Sequence, residues 1–279
     1  MGCGGGVDVE GGSETRSYFW DMTSGTCSRR SVSARIGRME LFNKTLIFLH
    51  VLGGIVALVI APLAMRTHKG GEWHRRWGLI YYRTMLWVLA SAVVLSFTRK
   101  FVFFLLGVTV LTAYNAFTGV RCLYQKNAVA GNAGGRGLDW MITGATGVFA
   151  LVLMGYGLFS PKPEVTLAVL CVIFSVFILI PVSQDVWRFV RPSEDPKWWW
   201  YFHLDRMMGS YIGAVTAFAV NQLGPRVPQA MQIFVWVGPA MVMVPMILIW
   251  KGYYRRKFAK KPGSVADGSV VTLTRLAGS

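Results

Sequence analysis

The hydrophobic residues of this chain are gathered into seven long apolar blocks separated by short polar stretches. Most blocks hold about 20 residues, which is the length a helix needs to cross the hydrocarbon core of a bilayer. Inside lipid, each backbone N–H and C=O must pair within its own segment, so the blocks predict helices. A β-barrel would show alternating segments of about ten residues instead. The blocks are residues 45–65, 79–97, 101–120, 140–159, 165–182, 207–223 and 231–250.

The pattern therefore predicts an all-α fold: a polytopic transmembrane helical bundle of about seven helices, forming one domain over residues 39–250. Residues 1–38 are rich in Gly and Ser, carry five arginines and lack an apolar period. We expect this stretch to be a disordered extension, or an upstream segment that precedes a functional start at Met39. Residues 251–279 begin with a basic cluster and become polar, which predicts a basic cytoplasmic tail.

Composition agrees with a membrane location. Hydrophobic residues make up 53% of the chain and charged residues 15%, against about 25% charged residues in soluble proteins. The net charge of +16 raises the question of nucleic acid. However, the Lys and Arg residues lie mostly in the short connections and the tail, where membrane proteins carry them. We therefore predict the lipid bilayer as the partner and exclude nucleic acid.

The connections differ in charge from one side of the predicted bundle to the other. Eighteen Lys and Arg residues fall after the first, third and fifth blocks and in the tail, against five on the opposite side counted from Met39. Because basic loops stay in the cytoplasm, this difference predicts an external N-terminus and a cytoplasmic C-terminus in a plasma (inner) membrane.

Histidines are the main candidates for chemistry. His68, His74 and His203 fall at the predicted cytoplasmic boundary, whereas His50 lies within the first block. His74 and His203 could face each other as axial ligands of haem b, or three histidines could bind a metal ion, because neutral imidazole suits Zn, Cu and Fe. His50 is 15 residues from Met65, which is about 22 Å along a helix. It therefore needs a separate role, as a hydrogen-bonding or a proton-path residue.

The same histidines also have plainer interpretations. A boundary histidine can be an interfacial residue with a hydrated ring nitrogen, and His50 can be structural. The acidic and basic residues at this boundary, which include Asp185 with Arg188 and Asp205 with Arg206, predict solvated ion pairs rather than an acid–base dyad.

Small residues recur every fourth position in the sixth block, at Gly209, Gly213 and Ala217. This spacing lets helices approach closely, which predicts a packing face or a surface for self-association or a membrane partner subunit. Asn115 and Asn221 are candidates for hydrogen bonds between helices.

Several of these residues together resemble a family. The run from His50 to Met65, the following KGGEWHRRWG, Tyr81 and the later stretch from His203 to Asn221 resemble bacterial multi-pass membrane proteins of a domain-of-unknown-function family (number 2306). The resemblance covers roughly residues 45–225. It implies a helical membrane protein and no particular reaction. The matching positions are His50, His74, Arg75, Gly78, Tyr81, His203 and Asn221, of which His50, Arg75, Tyr81 and Asn221 would support the histidine ligands.

Three functions remain open from the sequence, and it does not decide whether the chain is an enzyme. The first is a redox or electron-transfer membrane protein with haem or a metal at His74 and His203. The second is a cofactor-free transporter or assembly scaffold with a polar cavity near Asn115, Asn221 and His50. The third is a seven-helix metal hydrolase, although the chain lacks the paired histidines on a late helix that such enzymes carry.

Overall fold

The structure, a computed structural model, describes residues 22–98, 103–125, 137–160, 165–191 and 195–259, with side chains described from residue 37 to residue 258. Two units are distinguished, Met1–Thr45 and Leu46–Ser279. Within the described ranges the chain forms seven α-helices and two short 3₁₀ turns, without a strand. The helices are α1 (Met22–Arg66), α2 (Glu72–Thr98), α3 (Phe103–Tyr124), α4 (Gly137–Phe159), α5 (Val165–Val190), α6 (Trp198–Leu223) and α7 (Gln232–Ala259).

The predicted all-α helical bundle is thus confirmed. Six of the helices are long and apolar enough to cross a membrane, and the exception is α6. On α7, large apolar side chains face outward, and Leu248 and Ile249 are 61% and 74% exposed. Such a surface is stable in hydrocarbon rather than in water. The chain is therefore a multi-pass membrane protein with lipid against its apolar helices.

α6 misses the apolar criterion for an identifiable reason. Its first three turns carry His203, Asp205 and Arg206, which lower its mean hydropathy. α6 packs against α3, α5 and α7, so these polar groups meet other helices instead of lipid. A helix enclosed by its neighbours does not need an apolar surface all round.

Consecutive helices of the unit Leu46–Ser279 run antiparallel. The end of α3 contacts the start of α4 through Arg121 and Asp139. The end of α5 contacts the start of α6 through Asp185 and Arg206. One end of the bundle therefore holds the last turns of α1, α3, α5 and α7 and the first turns of α2, α4 and α6. We call it the basic end, since it carries the Lys- and Arg-rich connections.

The core of this unit has two parts. A larger cluster joins α3, α4 and α5 through side chains such as Phe104, Leu153 and Ile178. A smaller cluster joins α1 and α2 through Ala57, Ala61, Tyr81 and Met85. The small alanines let α1 approach α2, and Met207, Tyr211 and Ala214 of α6 pack against the same cluster, so that Tyr81 is almost completely enclosed.

The glycines of α6 serve close packing within the chain. A Cβ at Gly209 would come within 2.9 Å of Asn115 Oδ1, and one at Gly213 would overlap Thr112, both on α3. The predicted packing face is therefore confirmed for these two residues, while Ala217 is exposed. Self-association through this face stays a prediction.

Two predicted segments fall partly outside the described residues. α1 begins at Met22, before the apolar block, and residues 1–21 lie outside the description. α7 continues to Ala259, and the rest of the predicted cytoplasmic tail lies outside it. The predictions of a disordered extension over 1–38 and a basic tail over 251–279 stay predictions.

Candidate functional site: a histidine pair beside a buried ion cluster

The structure brings His74 and His203 together at the basic end. His74 lies in the first turn of α2 and His203 in the second turn of α6. Their ring centroids are 6.4 Å apart and the ring planes are inclined at 80°. Both side chains are half-buried. Two residues 129 positions apart in the sequence thus form one pair of imidazoles.

The hydrogen bonds of this pair determine its tautomers. His74 Nδ1 lies 2.9 Å from the carbonyl oxygen of Ala64, and His203 Nδ1 lies 2.7 Å from that of Gly119. A carbonyl oxygen only accepts, so each Nδ1 carries the proton and donates it. In a neutral ring this leaves Nε2 with its lone pair. Within the described part of the chain neither Nε2 has a hydrogen-bond partner.

The loop before α2 places His74. Gly70 has φ +83°, a backbone conformation that suits glycine. The Gly71 N–H then donates to the His68 carbonyl at 3.0 Å, and the Arg75 N–H donates to the Gly71 carbonyl at 3.1 Å. The turn reverses the chain directly after α1, so that His74 reaches the last carbonyls of that helix.

Gly119 allows the corresponding contact of His203. A Cβ at this position would lie 2.9 Å from Arg206 Cβ and 3.0 Å from Met207 Sδ. Because Gly119 has no side chain, α6 comes close enough to α3 for His203 to donate to the Gly119 carbonyl. A larger residue here would push α6 away and lengthen that bond.

The other predicted site residues lie elsewhere. His50 is bonded to Ser91 Oγ at 2.8 Å, well along α1 and α2 from the basic end. Tyr81 is 3% exposed and its hydroxyl lies 2.8 Å from Ser210 Oγ. Arg75 is exposed, and the exposed Asn221 donates to the Ala217 carbonyl at 2.8 Å. As the sequence predicts, His50 does not share a site with His74.

A three-histidine site is not formed. His68 is exposed, and the described residues contain no group of three or more His, Cys, Asp or Glu side chains placed to hold a metal ion. The polar cavity predicted near Asn115, Asn221 and His50 is also not assembled from these residues. Asn115 and Asn221 each donate within their own helix, to the Leu111 and Ala217 carbonyls.

Close to the histidine pair lies a cluster of buried charges that sequence reasoning missed. Asp185 is 0% exposed and Arg206 is 1% exposed. Arg206 Nη2 donates to Asp185 Oδ2 at 3.0 Å and to the Pro181 carbonyl at 2.7 Å. Arg188 Nη2 donates to Asp185 Oδ1 at 3.0 Å. The prediction of solvated pairs is therefore wrong for Asp185, because α3, α4 and α6 cover it.

Tyr114 and Thr143 complete the surroundings of Asp185. The Tyr114 hydroxyl donates to Asp185 Oδ2 at 2.5 Å. Since this hydrogen is used, the Thr143 hydroxyl, 3.0 Å away, acts as the donor to Tyr114. The aromatic ring of Phe202 lies over both guanidinium groups, 4.5 Å from Arg206 Cζ and 4.4 Å from Arg188 Cζ. Such cation–π contacts partly replace the hydration that burial removes.

A second ion pair continues this cluster toward the surface. Arg121 Nε donates to Asp139 Oδ1 at 2.8 Å. Gln125 connects the two pairs, since its Nε2 donates to Asp139 Oδ2 at 3.0 Å and its Oε1 accepts from Arg188 at 3.2 Å. A cavity of about 10 Å³ adjoins Arg121, Asp139, Arg188 and Thr143. That volume suits one water molecule.

Asp205 also has a different partner from the one that the sequence predicts. Asp205 pairs with Lys251 of α7 at 2.5 Å rather than with its neighbour Arg206. The sequence did contain a signal that Asp205 and Arg206 pair with other helices, since Arg206 directly precedes the apolar block of residues 207–223. An ionisable residue within a membrane segment usually faces the interior of the bundle and pairs there.

No family model, curated protein or solved structure matches this chain. What defines the protein is therefore its own architecture: a multi-pass helical membrane protein with a histidine pair and a buried ion cluster at one end. The resemblance to the domain-of-unknown-function family stays a prediction.

Proposed function

We propose that this membrane protein holds a haem or a single metal ion between His74 and His203 and serves in electron transfer. The spacing of the rings is the observation that carries the proposal. A bond from a metal ion to an imidazole nitrogen is about 2 Å long, so two rings on opposite sides of one ion have centroids roughly 6 Å apart. The observed separation is 6.4 Å.

The second support is the hydrogen bonding of the rings. Metal-binding histidines almost always donate their other ring N–H to a carbonyl or carboxylate, which fixes the tautomer and the ring orientation. His74 and His203 both donate through Nδ1 to a backbone carbonyl. Their Nε2 atoms are the ones a metal would take, and haem iron would supply one-electron chemistry there.

We further infer that α6 also crosses the membrane, which makes seven crossings. α5 ends at the basic end and α7 starts at the other, and α6 runs between them. With an odd number of crossings the termini lie on opposite sides, and the excess of basic residues at the basic end favours a cytoplasmic C-terminus in a plasma membrane. The histidine pair would then lie near the cytoplasmic surface.

Absorption spectroscopy tests the ligand proposal. We expect protein purified from a host with ample haem to show a Soret band, which the His74→Ala and His203→Ala variants lose. His68→Ala is the matched control, because His68 is exposed on the connection before α2. Metal analysis of the same preparations detects an ion bound without a porphyrin.

A colourless, metal-free preparation with ample haem supply would contradict the proposal. A Soret band that survives in both histidine variants would also contradict it.

A further inference from the structure

Lys69 stands at the rim of the histidine pair without an acidic partner. It lies on the connection between α1 and α2, and its Nζ donates to the Met65 carbonyl at 2.6 Å. His74 donates to the carbonyl of the adjacent residue, Ala64. Two neighbouring carbonyls at the end of α1 therefore hold the ammonium group and the imidazole side by side.

Contacts with α7 place Lys69 on the side of His203 as well. Its Nζ lies 5.2 Å from the ring centroid of Trp250. The next residue, Lys251, pairs with Asp205, and Asp205 is two positions after His203 on α6. Lys69 thus lies at the end of α1 that holds His74, and its ammonium group faces α7, which pairs with α6 two positions from His203.

The positive charge of Lys69 at the rim of the histidine pair is not neutralised by a carboxylate among the neighbouring described residues. Asp205 is neutralised by Lys251, and Asp185 by Arg188 and Arg206. Within the described part of the chain, no carboxylate lies within salt-bridge distance of Lys69. Burial lowers the pKa of Lys69, since a half-buried ammonium group without a counter-ion is costly. An anionic group bound beside the histidines would relieve that cost.

We propose that Lys69 binds a carboxylate of the cofactor held by His74 and His203, so that the cofactor is a haem with free propionates. This inference rests on the proposed function. An ammonium–carboxylate hydrogen bond at a partly buried site stabilises by about 1.5–3 kcal/mol, or roughly ten- to a hundred-fold in affinity. It would orient the propionate edge of the porphyrin toward the basic end.

The test compares two porphyrins on the purified apoprotein. Iron protoporphyrin IX carries free propionates, and its dimethyl ester carries none. We expect the wild-type protein to bind the free acid at least about ten-fold more tightly than the ester, and Lys69→Gln to lose that preference. Lys69→Arg retains the charge and should retain most of the preference. Lys257→Gln is the control, since it removes an exposed lysine of α7 near the same end.

The outcomes separate the role of Lys69 from the proposed binding of a cofactor by His74 and His203. Equal binding of both porphyrins by the wild-type protein, or an unchanged preference in Lys69→Gln, overturns the role of Lys69 and leaves the histidine proposal standing. Failure of the wild-type protein to bind either porphyrin overturns the role of Lys69 and the haem form of the proposed function. Metal analysis of the same preparation then decides whether His74 and His203 bind a metal ion without a porphyrin. The comparison of porphyrins on the wild-type protein does not depend on whether a variant folds.

Discussion

The histidine pair and the ion cluster around Asp185 share the basic end but differ in how their polar atoms are satisfied. Asp185 Oδ2 accepts from Tyr114 and Arg206, and Oδ1 accepts from Arg188. In the histidine pair only Nδ1 of each ring is bonded, and Nε2 has no partner in the described part of the chain. Among the described residues the cluster also keeps nitrogens without a partner, Arg206 Nε and Nη1 and Arg188 Nε, but these are buried cationic donors. The two sites therefore differ in chemistry: the carboxylate of the cluster is used up in joining helices, whereas Nε2 of each neutral imidazole offers a lone pair.

Substitution of Asp185 should have the largest effect. Asp185→Ala leaves the buried guanidinium group of Arg206 and the partly buried one of Arg188 without their counter-ion, which costs about 3–5 kcal/mol. Thermal unfolding in detergent should show a large fall in stability. Asp205→Ala is the matched control, because the half-buried pair with Lys251 contributes about 1 kcal/mol or less. Equal effects of the two substitutions would contradict the distinction between a buried cluster and a surface pair.

Tyr114→Phe should have the next largest effect. It removes the hydroxyl that donates to Asp185 and accepts from Thr143, at a cost of about 1–3 kcal/mol. The ring that fills the core is kept, so packing changes little. Tyr253→Phe, at an exposed position of α7, should leave the unfolding temperature unchanged. A silent Tyr114→Phe variant would show that the hydroxyl contributes nothing to the cluster.

His74→Ala should affect stability less and ligand binding more. It removes one hydrogen bond to a carbonyl, worth about 0.5–1.5 kcal/mol. In contrast, it removes one of two proposed ligands and should abolish haem or metal binding. Unfolding and absorption measurements on the same preparation check both expectations. A strongly destabilised variant that still binds haem would contradict both expectations.

Glu72→Gln should have the smallest effect. Glu72 and Arg76 form an exposed pair one helical turn apart, and such pairs contribute a few tenths of a kcal/mol. The unfolding temperature should stay within experimental error of the wild type. A clear loss would mean that the start of α2, and with it the position of His74, depends on this contact.

The fold could be predicted from the sequence because the lipid environment requires each spanning segment to be long, apolar and helical. The pairing of His74 with His203 was predicted only as one option, since sequence order shows that both residues lie at the same boundary without showing that their helices touch. The position of the two rings depends on α1 and α3, whose Ala64 and Gly119 carbonyls accept the hydrogen bonds from His74 and His203.

Asp185 was predicted incorrectly because its spacing from Arg188 is that of a surface pair on a helix. Its burial depends on Tyr114 and Arg206, which come from other helices. Those partners are 71 and 21 positions away in the sequence. Local spacing contains no information about them.

Electron paramagnetic resonance of the oxidised, haem-loaded protein tests ligation by both histidines most directly. Two axial imidazoles with planes at 80° should give a strongly anisotropic low-spin ferric signal, and His74→Ala and His203→Ala should each lose it. A high-spin signal in the wild-type protein, or a low-spin signal that persists in both variants, would contradict the proposed site.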